Sequence, residues 1–336
     1  MLWQAKLIQK YFFLLSQRKE KSPFKSTIGN RSVIMSTLNA FFQPKDVPLV
    51  LGHRGVPKLH QENSLSSFRK AVELGIDGVE FDVFKTKDDQ LVVFHDEETE
   101  RLTGVKGNIT EMTWDEVSKL RIQQTIDGKS FPSEERISLL EEVLDEFKGK
   151  LLMNIEMKAY APKWSRRHTG TKVAETIRRT EAENSVIVTS FDFFMLYYLE
   201  KKYAGLHSGF AYDDDMTKDI SDWFAKVPEI KSELAKAPGN QNDITFLNFL
   251  LESNTIGKLI GSTVVGAEYS LIDSDTAEKF HERGMLIGSY TLYPEDTRFT
   301  RSTQESQEEI LQRLVQTKVD WIETDDPEKL QAELHN

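Results

Sequence analysis

The chain has 336 residues, no cysteine and a formal net charge of −11 at neutral pH. Without cysteine it can form no disulfide, zinc–thiolate site or thiol nucleophile, so a secreted fold that depends on disulfides is excluded. The excess of acidic residues argues against a nucleic-acid backbone as partner. The length allows one large buried core or two ordinary ones.

Residues 1–42 differ in charge from the rest, with seven Lys or Arg against one Glu and a net charge of +6. Their apolar run, YFFLLS, is too short to cross a membrane, so no transmembrane segment is expected there. A basic, acid-poor segment that contains serine resembles an organellar transit peptide. The alternatives are a disordered tail on a cytoplasmic protein, or a start of translation at Met35. We therefore expect an N-terminal extension, or a targeting segment, ahead of a domain over residues 47–330.

From about residue 47 onward, short β-rich runs alternate with helical patterns. The run QLVVFHD (90–96) follows a predicted strand so closely that we interpret it as an extension of that unit. Asn63 or Ser64 is a suitable N-cap for a helix that ends at Gly75. Further helices are predicted over residues 138–150 and 294–317. The eight predicted strands cover residues 47–53, 78–84, 151–158, 185–191, 207–212, 263–269, 285–292 and 319–325.

Eight βα units predict an α/β fold, the TIM (β/α)8 barrel, which typically needs about 250 residues. A doubly wound open sheet is the competing fold. No internal repeat and no Pro- or Gly-rich linker divides the body of the chain. The irregular segment 213–262 is rich in helix formers and is predicted to be a long loop insertion on the barrel rim.

The stretch GVEFDVF (78–84) carries apolar and acidic residues in alternation. Strand side chains alternate between faces, so Glu80 and Asp82 share one face and the apolar residues share the other. In a barrel the apolar face packs against helices, and the two carboxylates then face inward near the C-terminal mouth. Two such charges raise each other's pKa or need a cation between them. A hard divalent ion with oxygen ligands meets that need.

The third predicted barrel strand repeats this arrangement. In NIEMK, Asn154, Glu156 and Lys158 share a face. Glu156 is predicted to supply a third oxygen ligand, and Lys158 a fixed positive charge beside it. Three carboxylates around one metal, flanked by a lysine, make a site that attracts an anion such as a phosphate.

Two histidines lie at strand ends. His53 and Arg54 end the first strand, and His95 ends the extension of the second. All three are expected at the mouth, where barrel enzymes carry out their chemistry. Histidine is the natural proton carrier near neutral pH, and the guanidinium of arginine suits phosphate oxygens. A histidine at a strand end is more often structural, but the convergence of these residues on one rim favours a site.

The motifs HRG, ENSLSSFRKAVELGIDGVEFDVFKTKDDQLVVFHD, NIEMK and WIETDDP occur in this order. Together they closely resemble the glycerophosphodiester phosphodiesterase family, over about residues 48–328. The resemblance implies a TIM barrel that hydrolyses small-molecule glycerophosphodiesters to an alcohol and glycerol 3-phosphate. It also implies one divalent cation, Ca²⁺ or Mg²⁺, as cofactor.

The resemblance assigns roles to the same residues. The family's metal ligands fall on Glu80, Asp82 and Glu156, its catalytic histidine pair on His53 and His95, and its phosphate contacts on Arg54 and Lys158.

Two features depart from the family pattern. Where the family usually has Trp-Thr-Val-Asn, this chain has Tyr290-Thr291-Leu292-Tyr293. Tyr290 is expected to replace the tryptophan as an apolar wall for glycerol, while the asparagine contact is lost. The segment 213–262 is also longer than a minimal member needs. Both departures bear on the preference for the leaving alcohol.

Two other functions compete with this one. A phospholipase D-type hydrolysis of lysolipids or sphingolipids would use the same site and needs an apolar patch near the mouth. The stretch FDFFMLYYL (191–199) is a candidate patch, although its spacing is typical of a helix packed on the barrel. A non-catalytic barrel that serves as a binding protein predicts that at least one site residue has lost the chemistry its role needs, and none has.

Overall fold

A computed structural model of the chain describes residues 39–126, 129–158, 168–213, 262–294 and 305–335. The predicted extension up to residue 38 and the predicted rim insertion over 214–261 lie outside the described residues. Among the helices of the described ranges, none has the length and apolar character that crossing a membrane requires.

Within these ranges, eight parallel strands close into a barrel. The first strand pairs with both the second and the last, so the eight parallel strands form a closed ring. This closure confirms the TIM barrel and excludes the doubly wound open sheet. The barrel strands are β1 (Leu49–His53), β2 (Gly78–Lys85), β3 (Leu152–Met157), β4 (Val186–Ser190), β5 (Ser208–Tyr212), β6 (Val264–Glu268), β7 (Leu286–Leu292) and β8 (Trp321–Thr324).

Helices on the outside of the barrel, and short helices in its connections, follow the predicted pattern. Ser64 caps the first helix by accepting the backbone N–H of Ser67, and Gly75 ends it with a φ of +68°. The described helices are α1 (Leu65–Leu74), α2 (Glu100–Thr103), α3 (Trp114–Val117), α4 (Leu140–Phe147), α5 (Thr169–Thr180), α6 (Phe193–Lys202), α7 (Ser274–His281), α8 (Gln307–Gln316) and α9 (Pro327–Leu334).

One predicted helix starts later than the pattern suggested, and another is described only from residue 305 onward. Residues Ser138–Leu139 are paired as a short strand with Leu91–Val93, so α4 begins only at Leu140. Ser306 caps α8 in a capping box with Glu309. The part of that predicted helix over 295–304 lies outside the described residues.

The apolar face of β2 packs outward, as the alternation predicts. Phe81 is fully buried, and its ring centroid lies 5.4 Å from that of Phe68 on α1. Phe68 in turn meets Phe147 of α4 edge to face at 5.8 Å. The opposite face of β2 is therefore turned to the barrel interior.

The N-terminal end of the barrel is closed by the chain segment that precedes β1. Phe41 is fully buried in a cluster with interior side chains that include Leu51 and Trp321, and its ring meets the indole edge to face at 6.1 Å. The side-chain amide of Asn39 donates to the carbonyl of Val186 over 2.8 Å. A Cβ at Gly288 would lie 1.7 Å from the indole, so only glycine leaves room for it. The last residues of the predicted extension thus contact the barrel.

We expect Phe41→Ala to lower the free energy of unfolding by about 3–5 kcal/mol, because it opens a cavity at this end of the barrel. A chain that begins at Thr37 keeps the segment and should fold like the full chain, whereas one that begins at Lys45 should not. Denaturant unfolding measures each change. Leu59→Ala, at an exposed position, is the control and should shift stability by less than about 0.5 kcal/mol. A Phe41→Ala protein as stable as this control would contradict the assignment.

Candidate active site at the barrel mouth

Three carboxylates meet inside the mouth of the barrel. Oxygen atoms of Glu80, Asp82 and Glu156 all lie within 4.8 Å of one another. The strand register explains this, because Asp82 of β2 stands directly beside Glu156 of β3. The Lys158 Nζ lies 2.8 Å from an Asp82 oxygen and 2.7 Å from a Glu156 oxygen. The ammonium therefore bridges two of the three carboxylates.

Burial and neighbouring charges shift the pKa values of Glu80 and Asp82 in opposite directions. The side chains of Glu80 and Asp82 are 2% and 1% exposed. Burial works to raise the pKa of Asp82, but Lys158 and Arg54 outweigh it and hold that pKa well below its usual range. Burial raises the pKa of Glu80 well above its usual range, and the negative charge of Asp82 raises it further. Of these two carboxylates, Glu80 is thus the one whose negative charge is less compensated by nearby positive charges.

The cluster fits a divalent cation. The Glu80 Oε1 atom is buried and has no hydrogen-bond partner among the described residues. Three carboxylates that converge within 4.8 Å offer the oxygen ligands that Ca²⁺ and Mg²⁺ prefer. These residues could hold one such ion.

The turn after β1 brings Arg54 over the carboxylates. Its backbone N–H donates to Glu80 Oε2 over 3.0 Å, and its Nε lies 3.5 Å from Asp82 Oδ2. Asn63 completes the turn, since its side-chain amide donates to Asp82 Oδ2 over 2.9 Å while its Oδ1 accepts the Asp82 backbone N–H. The turn thus fixes both carboxylates of β2.

His53 ends β1 with its ring between two carboxylates. Its Nδ1 lies 2.6 Å from Asp325 Oδ1, just after β8, and its Nε2 lies 3.9 Å from Glu80 Oε2. A carboxylate can only accept hydrogen bonds, so the Nδ1 carries the proton and the Nε2 is directed to the cluster.

A hairpin returns His95 to the same mouth. The strand Leu91–Val93 runs antiparallel to β2, and the next residue, Phe94, donates its N–H to the carbonyl of Asp82 over 3.0 Å. The His95 Nδ1 lies 2.5 Å from Asp96 Oδ1. Burial, and then the charge of Lys158, lower the pKa of His95 to about 4, against the opposing effect of Asp82. The imidazole is therefore neutral at neutral pH.

An open cavity of about 720 Å³ adjoins His95 and Lys158. Across the mouth, Tyr290 near the end of β7 donates its hydroxyl to the carbonyl of Tyr212 over 2.6 Å. The ring of Tyr290 meets that of Phe191 edge to face at 6.1 Å. The cavity beside His95 and Lys158 is large enough for a small diester. All eight predicted site residues thus lie at the mouth, and their roles stay predictions.

Residues 53–329 match the family model described as the glycerophosphoryl diester phosphodiesterase family. The chain belongs to this family. The match begins at His53 and extends past Asp325, so it includes every residue of the candidate site.

Relatives in the family are similar over part of their length. A glycerophosphodiester phosphodiesterase of Caldanaerobacter subterraneus is 36% identical over 49% of this chain and 66% of its own length. The human lysophospholipase D GDPD1 is 32% identical over 41% of this chain and 43% of its own length. The chain thus matches less than two thirds of these relatives. A solved phosphodiesterase of Oleispira antarctica, in complex with the product sn-glycerol-3-phosphate, is 18% identical, covers 86% of this chain and 98% of that chain, and has a TM-score of 0.61.

In this member of the family a buried polar layer lies directly beneath the carboxylates. The Glu323 Oε1 atom accepts from the indole of Trp321 over 2.8 Å and from the side-chain amide of Asn154 over 2.7 Å. Thr189 donates to Asn154 Oδ1 over 2.9 Å. Burial raises the pKa of Glu323 to about 7, although both donors oppose the shift.

Sequence reasoning did not assign roles to several residues that contact the predicted ones. Asp325 follows the last strand, and the rule that singled out His53, a polar residue at a strand end, would also have found it. Glu323 shows the alternation that identified Glu80, but it lies in a motif used only for the resemblance. Arg101, which pairs with Asp96 and Glu62, gives no sequence signal, because it lies on a short helix in an irregular connection.

We expect millimolar Ca²⁺ or Mg²⁺ to raise the melting temperature of the protein, since a ligand of the folded state alone stabilises it. At a concentration 100 times Kd the gain is about 2.7 kcal/mol. Glu156→Gln should lose most of the ion-induced shift. Glu141→Gln, at an exposed carboxylate of α4 that pairs with Arg179, should keep it. Calorimetric melting that shows no effect of either ion on the unmodified chain would contradict the metal site.

Proposed function

We propose that the protein hydrolyses glycerophosphodiesters to an alcohol and glycerol 3-phosphate with one divalent cation, Ca²⁺ or Mg²⁺. The observation that carries the proposal is the meeting of three carboxylates, two cationic side chains and two imidazoles at one mouth. Membership in the family supports the substrate class. The product held by the Oleispira neighbour is glycerol 3-phosphate, which supports the same class of reaction.

Lys158 and Arg54 bind the negatively charged phosphate of the diester. Both side chains are mostly buried over the carboxylates, where a low local dielectric strengthens their attraction for a phosphate. Glu80, Asp82 and Glu156 would hold the cation, which supplies further positive charge to the phosphate oxygens. The arginine fork adds directional hydrogen bonds to those oxygens.

Proton transfer falls to the two imidazoles. His95 is neutral at neutral pH, and the neutral form accepts a proton, so it suits the activation of the nucleophile. His53 stands on the other side of the cluster, with its Nδ1 2.6 Å from Asp325 Oδ1 and its Nε2 directed at the carboxylates. It suits protonation of the leaving alkoxide.

The wall for the glycerol moiety is Tyr290. Its hydroxyl is committed to a backbone carbonyl, so it presents the ring rather than the hydroxyl to the mouth. Together with Phe191 it forms an apolar side opposite the charged residues of β2 and β3. A glycerol backbone, with its apolar C–H edges, fits such a wall.

A second candidate function is hydrolysis of lysolipids, which the name of the human relative favours. The apolar stretch 191–199 gives it no support, because most of it forms α6. Met195, Leu196 and Leu199 of this helix are buried in the hydrophobic core. A non-catalytic binding role is the less favoured alternative, since every predicted site residue is in place.

Hydrolysis of a small panel of glycerophosphodiesters and lysolipids, with and without EDTA, tests the proposal. Glycerol 3-phosphate is measured as the product of the small diesters, and the released headgroup alcohol and lysophosphatidate as the products of the lysolipids. We expect turnover of the small diesters that EDTA abolishes and added Ca²⁺ or Mg²⁺ restores. Faster turnover of lysolipids would favour the second candidate. Full activity in excess EDTA, with no metal in the purified protein, would overturn the metal assignment.

Substitution of the two histidines should separate their roles. We expect His53→Ala and His95→Ala each to lose about 10²–10⁴-fold in kcat, the usual contribution of general acid–base catalysis. A nitrophenyl ester substrate releases nitrophenolate, which leaves without being protonated by an acid. This substrate should therefore selectively restore the rate of His53→Ala. Steady-state kinetics on both substrates measures this.

The control is His60→Ala, which should leave kcat nearly unchanged. His207 is buried at the other end of the barrel, where its ring contacts Phe42. Its substitution should therefore affect stability rather than kcat. Near-normal kcat in either strand-end variant would show that the proposed role of that histidine is wrong.

A further inference from the structure

A chain of ion pairs connects His95 to Arg54 along the side of the mouth. Asp96 receives the His95 ring and also pairs with Arg101, which contacts it through two guanidinium nitrogens. The same guanidinium donates to both oxygens of Glu62, over 3.1 and 2.9 Å. Glu62 then accepts from Arg54 Nη1 over 3.1 Å. Arg101 thus pairs with the carboxylate that holds the imidazole and with the carboxylate that holds Arg54.

The geometry of Arg101 requires a guanidinium. Two carboxylates approach it from different sides, and each receives more than one N–H of the planar fork. A lysine ammonium is a point charge on a flexible stem and cannot hold two carboxylates in fixed orientations. Glu62 is only 4% exposed while Arg101 is 45% exposed, so the buried partner depends on the guanidinium for part of its compensation.

The ion pairs of Arg101 affect both His95 and Arg54. Asp96 fixes the proton of His95 on Nδ1 and leaves the Nε2 for the reaction, as long as the carboxylate itself is held in place. Glu62 anchors one end of the Arg54 guanidinium, whose Nε lies beside Asp82. If Glu62 moves, the donors of Arg54 are no longer directed at one position.

We propose that Arg101 is a positioning residue for the phosphodiesterase reaction: through Asp96 it orients His95, and through Glu62 it orients Arg54. This inference rests on the proposed function. Arg101 itself does not touch the carboxylate cluster; it acts through its two partners.

A merely structural role for Arg101 is disfavoured by the other anchors of its helix. Leu102 is buried in the hydrophobic core, and the hydroxyl of Thr103 donates to the carbonyl of Thr99 over 2.8 Å. Glu62 also has its backbone N–H bound to Gln124 Oε1 over 2.9 Å. Loss of the guanidinium should therefore leave α2 and the turn folded.

The kinetic test uses three single variants on a small glycerophosphodiester. Asp96→Asn should lower kcat by about 10–100-fold with little change in KM, because Asp96 contacts the imidazole directly while Arg101 keeps its hydrogen bonds to Glu62. Glu62→Gln should raise KM by about tenfold with a smaller effect on kcat, because it releases the phosphate-binding arginine. Arg101→Met should produce both effects together. The double variant Arg101→Met/Asp96→Asn should lose no more in kcat than the single variant with the larger loss. Both substitutions break the same contact, the ion pair between Arg101 and Asp96.

Two further variants complete the design. Arg101→Lys keeps the charge, so it should melt like the unmodified chain yet show the same loss in kcat and rise in KM. Arg179→Met breaks a bidentate ion pair with Glu141 on the outer surface and should leave both constants unchanged. If Arg101→Lys and Arg101→Met behave like Arg179→Met, the inference is overturned.

An activity-independent measurement separates this inference from the proposed function. Imidazole nitrogen NMR of the full chain, with His95→Gln to assign the signal, reports which ring nitrogen carries the proton. We expect the Nδ1–H form in the unmodified chain and a mixture of tautomers in Arg101→Met. An unmodified chain that releases no glycerol 3-phosphate but shows this change would overturn the proposed function alone. An unchanged tautomer in Arg101→Met would overturn the inference alone.

Discussion

The structure of the mouth depends on the burial of three carboxylates at one point of the barrel. Moving an ion from water into a protein interior costs several kcal/mol, so each carboxylate needs compensation. That compensation is unequal, because Asp82 receives the ammonium of Lys158 whereas Glu80 receives a backbone N–H. The pKa of Asp82 falls and that of Glu80 rises as a result. A cation held by the cluster would act most strongly on Glu80, the group with the least support.

The layer below the carboxylates explains how the barrel holds them in place. Phe41 packs on Trp321 from the N-terminal end, and the indole donates to Glu323. Glu323 holds the amide of Asn154, which stands two residues before Glu156 on the same face of β3. Burial raises the pKa of Glu323 to about 7, and the neutral form that this favours is repelled less by the carboxylates above it. The apolar end of the barrel thus supports the charged one through a continuous set of contacts.

Strand alternation accounts for the part of the site that the sequence predicts. Side chains alternate between the two faces of a strand, so the position of one residue fixes the face of all the others. The carboxylates of β2 and Glu156 could therefore be assigned to the inner face from the sequence alone. Contacts across the closed barrel could not be predicted, since Asp325 reaches His53 only because β8 pairs with β1. Arg101 belongs to a helix of four residues, which is too short for any periodic pattern. Charge composition assigned Phe41 to the basic extension over residues 1–42. Its packing against the barrel could not be predicted, because Trp321, which it contacts, lies far along the chain.

The turn after β1 shows why the site accepts strained backbone. Arg54 and Asn63 have φ values of +57° and +55°, and the Asn63 N–H donates to the carbonyl of Arg54 over 3.0 Å. The left-handed conformation costs a residue with a side chain about 1–2 kcal/mol, although asparagine tolerates it well. Glycine would remove that strain at position 54 but would also remove the guanidinium. In the left-handed conformation one residue presents its backbone N–H to Glu80 and its side chain to Asp82. A single position therefore contacts both carboxylates of β2. The hydrogen bond to Glu80 and the ion pair with Asp82 offset the strain that this arrangement requires.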